Sequence, residues 1–382
     1  MKDDTRLIHT RKDRGPAHTV NPPIERGSTL LTPTRAVLYG DGRVYGRMGL
    51  TVHRELEAGL CQLENAAYCR LTSNGLQAVA LAVGAILKAG DHILVPDCAY
   101  GPSRRFCLRR LHAMGISATR YPPTIGAKIE DLIEPHTKAI LIESPGSLTM
   151  DITDTPAFVA IAKARGLLTV FDNTWAAGVF HRPLDLGVDI VIQALTKYVV
   201  GHADALAGAV LTNSADRAKE IAACSDDWGI SLAPDDAYTA LRGLRTLHTR
   251  LKRHEDSALI IAEWLQSRDE VDSVLHPALT SHPEQALWKR DFSGACGLFS
   301  FTLHETRERD LDRFLESMKL FGMGFSWGGY ESLLIPCDSQ LNRNKADRIH
   351  ARKGPLMRIH VGLEDPQDLI EDLTAAFAAM TA

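Results

Sequence analysis

The sequence predicts an α/β protein, with a large domain on a mostly parallel sheet and a smaller α+β domain at the C-terminal end. Three observations carry this expectation. Short apolar, β-branched runs at Leu167–Phe171 and Ile190–Ile192 have the length of buried strands, and each runs into polar residues at its C-terminal end. The chain between them, with Gly178, Pro183 and Gly187, is long enough for a crossover that returns the second strand parallel to the first. From Asp235 onwards apolar residues fall at helical spacing between many charges, and later stretches mix both periodicities.

At 382 residues, 45% hydrophobic and 24% charged, the chain is long enough for two domains. A formal charge of −4 gives no basic field for nucleic acid, so the expected partners are a small-molecule substrate and further copies of the chain. The N-terminal stretch MKDDTRLIHTRKDRGPAHTV has no apolar core and does not read as a secretory signal. The longest apolar run, Ala78–Leu87, is too short to span a bilayer. Seven scattered cysteines without CxxC spacing fit neither a disulfide framework nor a zinc site, and a reducing cytoplasm is expected.

Residues 1–45 carry Pro16, Pro22, Pro23 and Pro33 with little periodicity and read as an extended arm. The arm runs into a glycine-dense loop from Gly40 to Gly49 bearing Tyr45 and Arg47, whose glycines miss the dinucleotide-fingerprint spacing. Next, Leu71-Thr-Ser-Asn-Gly-Leu-Gln-Ala leads into a helical run, Val79–Lys88, expected to stop at Gly90. Ser73 or Asn74 would cap it, and Gly75 would let a ligand approach free N–H groups at the helix start; an ordinary capped helix reads the same way. His92–Val95 reads as a strand with Tyr100 in the loop beyond it, where an aromatic face could stack on a ligand or merely pack on its own turn. Lys138–Glu143 is another strand, Ala157–Arg165 a helix, and Ala209–Thr212 a strand.

From Asp235 to about Ser267 a single long helix is expected, then a strand over Gly297–Leu303, a helix over Leu311–Leu320 and a closing helix over Pro366–Met380. Leu356–Val361 alternates with period two, which puts Arg358 and His360 on the face opposite Met357, Ile359 and Val361. A semi-buried arginine there needs an anion, either a ligand carboxylate or Glu364 or Asp365. His9, His18, His112, His136, His181 and His276 show no metal spacing, and no metal is expected. Ser326 has no histidine and acid partner that would make a hydrolase triad.

The central stretch carries the chemistry. In an open α/β sheet the ligand crevice lies beyond the C-terminal ends of the strands, so Asp172 and Lys197 would meet in one pocket. That pair suits pyridoxal 5'-phosphate: a lysine forms the resting Schiff base, and an acid beside the ring nitrogen keeps it protonated. At arbitrary spacing such a pair is more often a turn cap and a solvated lysine, so the neighbouring residues decide.

Asp172-Asn173-Thr174-Trp175, Thr196-Lys197-Tyr198 and Gly201-His202-Ala203-Asp204 resemble the Cys/Met-metabolism family of pyridoxal-phosphate enzymes, nearly end to end. The resemblance implies the aspartate aminotransferase-like, PLP-dependent transferase fold (fold type I), with a cofactor-binding α/β domain over 46–235 and an α+β domain over 236–382. It further implies that Lys197 carries the cofactor and is catalytic with Tyr100, that Asp172 holds the ring nitrogen, and that Gly75, Leu76 and Thr196 hold the phosphate. Tyr45 and Arg47 would reach the phosphate of a neighbouring subunit, in a homotetramer of dimers sharing active sites. Arg358 would anchor the substrate carboxylate, and Ser326 and Trp327 would line the substrate pocket.

The implied activity is that of the cystathionine β-lyase branch of the family, signalled by Ser326-Trp-Gly-Gly-Tyr-Glu-Ser332; the alternatives are γ-lyase, γ-synthase or methionine γ-lyase chemistry, or a non-catalytic cofactor-binding protein. Met48 departs from an arginine found there in some β-lyases, and Arg104 or Arg105 could take over the distal carboxylate of the substrate.

Overall fold

The computed structural model describes residues 2–9, 19–341 and 352–381; Pro16 and His18 lie outside them. Seven strands form the larger sheet: β1 (Tyr68–Thr72), β2 (His92–Pro96), β3 (Ser117–Tyr121), β4 (Thr137–Glu143), β5 (Leu168–Asp172), β6 (Ile190–Gln193) and β7 (Gly208–Thr212). Their order is β1-β7-β6-β5-β4-β2-β3. Only β7 runs antiparallel to its neighbours; β6, β5, β4, β2 and β3 pair parallel, as the central crossover predicts.

Both faces are covered, which is why the strands read as continuous apolar runs. On one face Leu94, Ile140, Ile142, Phe171 and Val191 join Leu56 and Leu60 of the helix Thr51–Glu64, Phe158 of the helix Thr155–Arg165 and Leu241 of the helix Pro234–Leu244. On the other, Ile93, Val95, Leu141, Val170 and Ile192 pack on Val79, Ala82 and Val83 of the helix Gly75–Gly84.

A second, antiparallel sheet has the order β10-β11-β9-β8, with β8 Val271–Leu275, β9 Leu298–Leu303, β10 Leu333–Pro336 and β11 Leu356–His360. Met357, Ile359 and Val361 point into a core with Phe299, Phe301, Phe314 and Phe377, which leaves Arg358 and His360 for the opposite face, as the alternation predicts.

Three expected helices move. The first begins at Gly75, capped by the Asn74 side chain on the Gln77 N–H, and ends at Gly84; Gly90 sits beyond it, its N–H bonded to Gly115 in the turn that enters β2. The long helix over 235–267 is two, Pro234–Leu244 and Leu247–Gln266. The break is held by the Arg250 guanidinium, which donates to the carbonyls of Gly243 at 2.8 Å and Val199 at 3.3 Å. The helix expected over Leu311–Leu320 spans Glu308–Ser317, because Asp372 takes the N–H groups of Lys319 and Leu320. The arm contains a helix, Asp3–Ile8, that buries Leu7, and a turn of helix at Arg35–Leu38. Among the described residues no helix is long and apolar enough to cross a membrane.

Candidate active site

The parallel strands β4 and β5 end side by side, with Glu143 in register with Asp172, and β6 runs on through Ala194 to Lys197. Beyond these ends lies a cavity of about 240 Å³ lined by Gly75, Leu76, Tyr100, Glu143, Asp172, Thr196, Lys197, Trp327 and Arg358, among others. Asp172 and Lys197 therefore face one pocket. Thr174 fixes the Asp172 carboxylate by donating from its N–H at 3.1 Å and its hydroxyl at 2.5 Å. Burial raises the Asp172 carboxyl above its ordinary range, while the Thr174 hydrogen bonds and the Lys197 charge pull it back.

Lys197 Nζ donates to Ser326 Oγ at 2.6 Å and stands 5.3 Å from the centre of the Trp327 ring. Burial, and then the Arg358 charge, push its amine down from 10.5 to about 8, against the opposing pull of Asp172. An amine so depressed is unprotonated in roughly one molecule in ten at neutral pH, far more than an ordinary lysine, and can act there as nucleophile and base. Ser326 has a left-handed φ of 78°, unusual for a side-chain-bearing residue, and its carbonyl accepts from Arg358 Nη2 at 3.0 Å. One strained residue thus ties the lysine to the arginine. Gly328 lies so close behind that an added Cβ would come 2.8 Å from the Tyr198 nitrogen.

Arg358 has no salt bridge among the described residues: Glu364 instead accepts from the N–H and hydroxyl of Ser332. That leaves the guanidinium, buried and lowered by that burial, lining the cavity as a docking point for an anion.

The opposite end suits a phosphate. Asn74 caps only the Gln77 N–H, and the N–H groups of Gly75 and Leu76 have no acceptor among the described residues. Gly75 packs against Ala194 so tightly that an added Cβ would come within 2.4 Å of it. The Thr196 hydroxyl bonds the Ala207 backbone at the same rim. A cavity with free helix N–H groups at one end, a depressed lysine and a carboxylate at its centre, and opposite them an arginine with no acidic partner among the described residues, fits pyridoxal phosphate joined to an amino acid. Tyr100, half exposed at the mouth, is held by its N–H bond to the Glu143 carboxylate at 2.8 Å.

Tyr45 and Arg47 are not brought to this cavity. Tyr45 is exposed and Arg47 lies 3.5 Å from Asp226. Arg104 is a correction to the expectation of a distal carboxylate ligand: it is buried and donates to the carbonyls of Asp97 and Ala99, which fixes the loop carrying Tyr100. Arg105 is exposed and does not line the cavity. Of the histidines without metal spacing, His181 stacks on Phe292 at 4.2 Å and His276 is buried against Phe299. Glu143 was missed by sequence reasoning, although it ends an expected strand as Asp172 does, and that shared position was the available signal. Burial and the neighbouring Asp172 lift its carboxyl well above the ordinary range.

Comparison with known proteins agrees with this geometry. The family described as Cys/Met metabolism PLP-dependent enzyme matches residues 4–378. The chain is similar to the cystathionine beta-lyase of Escherichia coli strain K12, 40% identical over 399 residues, 99% of this chain and 98% of the relative. It is also similar to an L-alanine/L-glutamate racemase of Wolbachia pipientis, 37% identical over 100% of this chain and 98% of that one. Among solved structures, cystathionine gamma synthase from Xanthomonas oryzae in complex with cystathionine superposes with a TM-score of 0.93 at 32% identity, covering 100% of this chain and 99% of that one. A match of this length, on a cavity already suited to the cofactor, places the chain in the Cys/Met metabolism family of PLP-dependent enzymes.

Proposed function

We propose that the chain is a carbon–sulfur lyase that cleaves L-cystathionine by β-elimination, releasing L-homocysteine, while water hydrolyses the remaining three-carbon fragment to pyruvate and ammonia. The observation that carries this reading is the meeting of Lys197, Asp172 and Arg358 in one cavity, with Ser326 joining the lysine to the arginine. Relatives named as cystathionine beta-lyases, alike over nearly the whole chain, support the β outcome.

Bound pyridoxal phosphate supplies a protonated ring that draws electrons from the substrate Cα. The chain's own residues do the rest. Asp172 holds the proton on the ring nitrogen, and Arg358 binds the α-carboxylate and sets the orientation of the Cα–H bond. The Lys197 amine takes the Cα proton and returns one to the leaving sulfur, with Tyr100 beside it; Ser326 Oγ holds that amine in place. Gly75, Leu76 and Thr196 would hold the phosphate, joined by Tyr45 and Arg47 of a neighbouring copy, and Trp327 would shape the substrate pocket. With this reading go a homotetramer built from site-sharing dimers, a cytoplasmic location, a role in methionine biosynthesis, and a division into the arm 1–45, the domain 46–235 and the domain 236–382.

The test is chemical. The purified protein should show a visible absorption band that borohydride bleaches, and should release pyruvate, not 2-oxobutyrate, from cystathionine. Release of 2-oxobutyrate would make it a γ-acting enzyme, and conversion of L-alanine to D-alanine as the main activity would align it with the racemase relative.

A further inference from the structure

The helix Thr51–Glu64 ends in a fully buried carboxylate that does not line the cavity but bonds residues adjoining the strand ends that do. Glu64 accepts from Asn173 Nδ2 at 2.8 and 3.1 Å and from Gln193 Nε2. Asn173 follows Asp172 directly, and Gln193 ends the strand that runs on to Lys197. Gln193 Nε2 also donates to the Asn173 carbonyl at 3.2 Å, and the Asn173 N–H bonds the Ile192 carbonyl at 3.0 Å. We infer that Glu64 is a positioning residue for the cofactor pocket, clamping the Asn173 and Gln193 amides so that the strand ends carrying Asp172 and Lys197 keep their spacing. This rests on the cofactor reading of the cavity above.

The donor pattern says which form the clamp uses. Both amides present NH₂ groups to Glu64 and both its oxygens accept, which suits a carboxylate best, because a protonated acid keeps acceptor capacity but carries an O–H that meets only donors there. A protonated Glu64 would have to donate instead. The unpartnered acceptor beside it is Asn173 Oδ1, buried without a hydrogen bond, and reaching it requires turning the Asn173 amide over and giving up its 2.9 Å bond to the His181 carbonyl. The clamp therefore has two arrangements, linked by one proton, immediately next to Asp172.

The groups around the clamp set where that proton leaves. Burial raises the Glu64 carboxyl from 4.5 to about 7; the Gln193 and Asn173 hydrogen bonds and the Arg182 charge oppose it, and Asp185 adds to it. His181, the other titratable neighbour, is kept neutral by burial, down to about 4. For a carboxyl raised in the folded state, its contribution to stability is full below about 4.5 and is lost as pH rises through about 7. Glu64→Gln removes that loss, so the variant should be no less stable than the native chain at pH 8. The same change places a further NH₂ against two NH₂ donors, so cofactor binding should weaken.

The experiment titrates full-length apoprotein with pyridoxal 5'-phosphate, following tryptophan fluorescence from pH 6 to 8.5, alongside thermal unfolding of the apoprotein. The native chain should bind more weakly below pH 7 than above it. Glu64→Gln should bind about 10-fold more weakly at pH 8, lose the step centred near pH 7, and unfold at no lower temperature. Glu64→Asp, keeping the charge, should recover part of the affinity. Native affinity with an unchanged pH step in Glu64→Gln overturns the inference, as does an affinity loss matched by a fall in unfolding temperature. Should Glu64→Gln not fold, Gln193→Leu removes one arm of the clamp, and native affinity in that variant overturns it equally. A native chain that binds no pyridoxal phosphate overturns the cofactor reading and the inference with it.

Discussion

Replacing Arg358 tests the electrostatics and the chemistry of the site together. The depression of the Lys197 amine from 10.5 to about 8 corresponds to roughly 3 kcal/mol at about 1.4 kcal/mol per pH unit. Burial leads, the Arg358 charge comes second and Asp172 opposes both. Arg358→Met leaves the burial and removes the charge, so the Lys197 amine should rise by about one pH unit. The same substitution removes the fork that grips the substrate carboxylate; losing one partner of a desolvated, charge-assisted pair costs about 2–5 kcal/mol. That predicts a fall in kcat/KM of roughly 30-fold or more, with most of it in KM. Arg358→Lys separates the effects: it keeps the charge, so the Lys197 amine should stay near its native value, but loses the planar fork, so KM should still rise. The amine is measured from the pH dependence of reductive methylation of Lys197 in the apoprotein, read by peptide mass spectrometry, and the kinetics from pyruvate release. A KM within twofold of native in Arg358→Met would remove Arg358 from carboxylate binding. A Lys197 amine that falls in Arg358→Met would refute the charge argument.

The other expectations are quickly stated. Lys197→Ala should fold normally and lose nearly all turnover; normal pyruvate release from that variant would reassign the lysine. Gly75→Ala should weaken pyridoxal phosphate binding in a fluorescence titration, because its Cβ would stand 2.4 Å from the Ala194 Cβ and push the free N–H groups from the rim. His181, neutral in the fold down to about 4, takes up a proton near 6.5 when unfolded, so its contribution to stability is lost as pH falls from 6.5 towards 4. In His181→Phe the stability difference between pH 7 and pH 5, from urea unfolding, should accordingly shrink by about 2 kcal/mol; an unchanged difference would mean that His181 is not buried in its neutral form.

Local pattern determined much of this protein from the sequence alone. β5, β6 and β11 stand where apolar runs and alternation put them, within a residue or two, because a strand buried on both faces must be apolar throughout and a strand with one core face must alternate. The polar residues that follow such strands fall at the ligand crevice whatever the loops do, so Asp172 and Lys197 were legible as one site, whereas Arg358, in the middle of β11, joined them only through the family resemblance. What the tertiary structure decided depends on contacts between residues far apart in the chain. Sequence periodicity runs unbroken through Arg245, yet the helix breaks there because the Arg250 guanidinium takes carbonyls from Gly243 and Val199. Arg104 reads as a free cation until the fold hands it two carbonyls of its own loop. The bond from Lys197 to Ser326 spans 129 residues and that from Asn173 to Glu64 spans 109, and no local propensity encodes either. A hydrogen bond of this kind exists only once packing has brought two buried polar groups within 3 Å and excluded the water that would otherwise satisfy them.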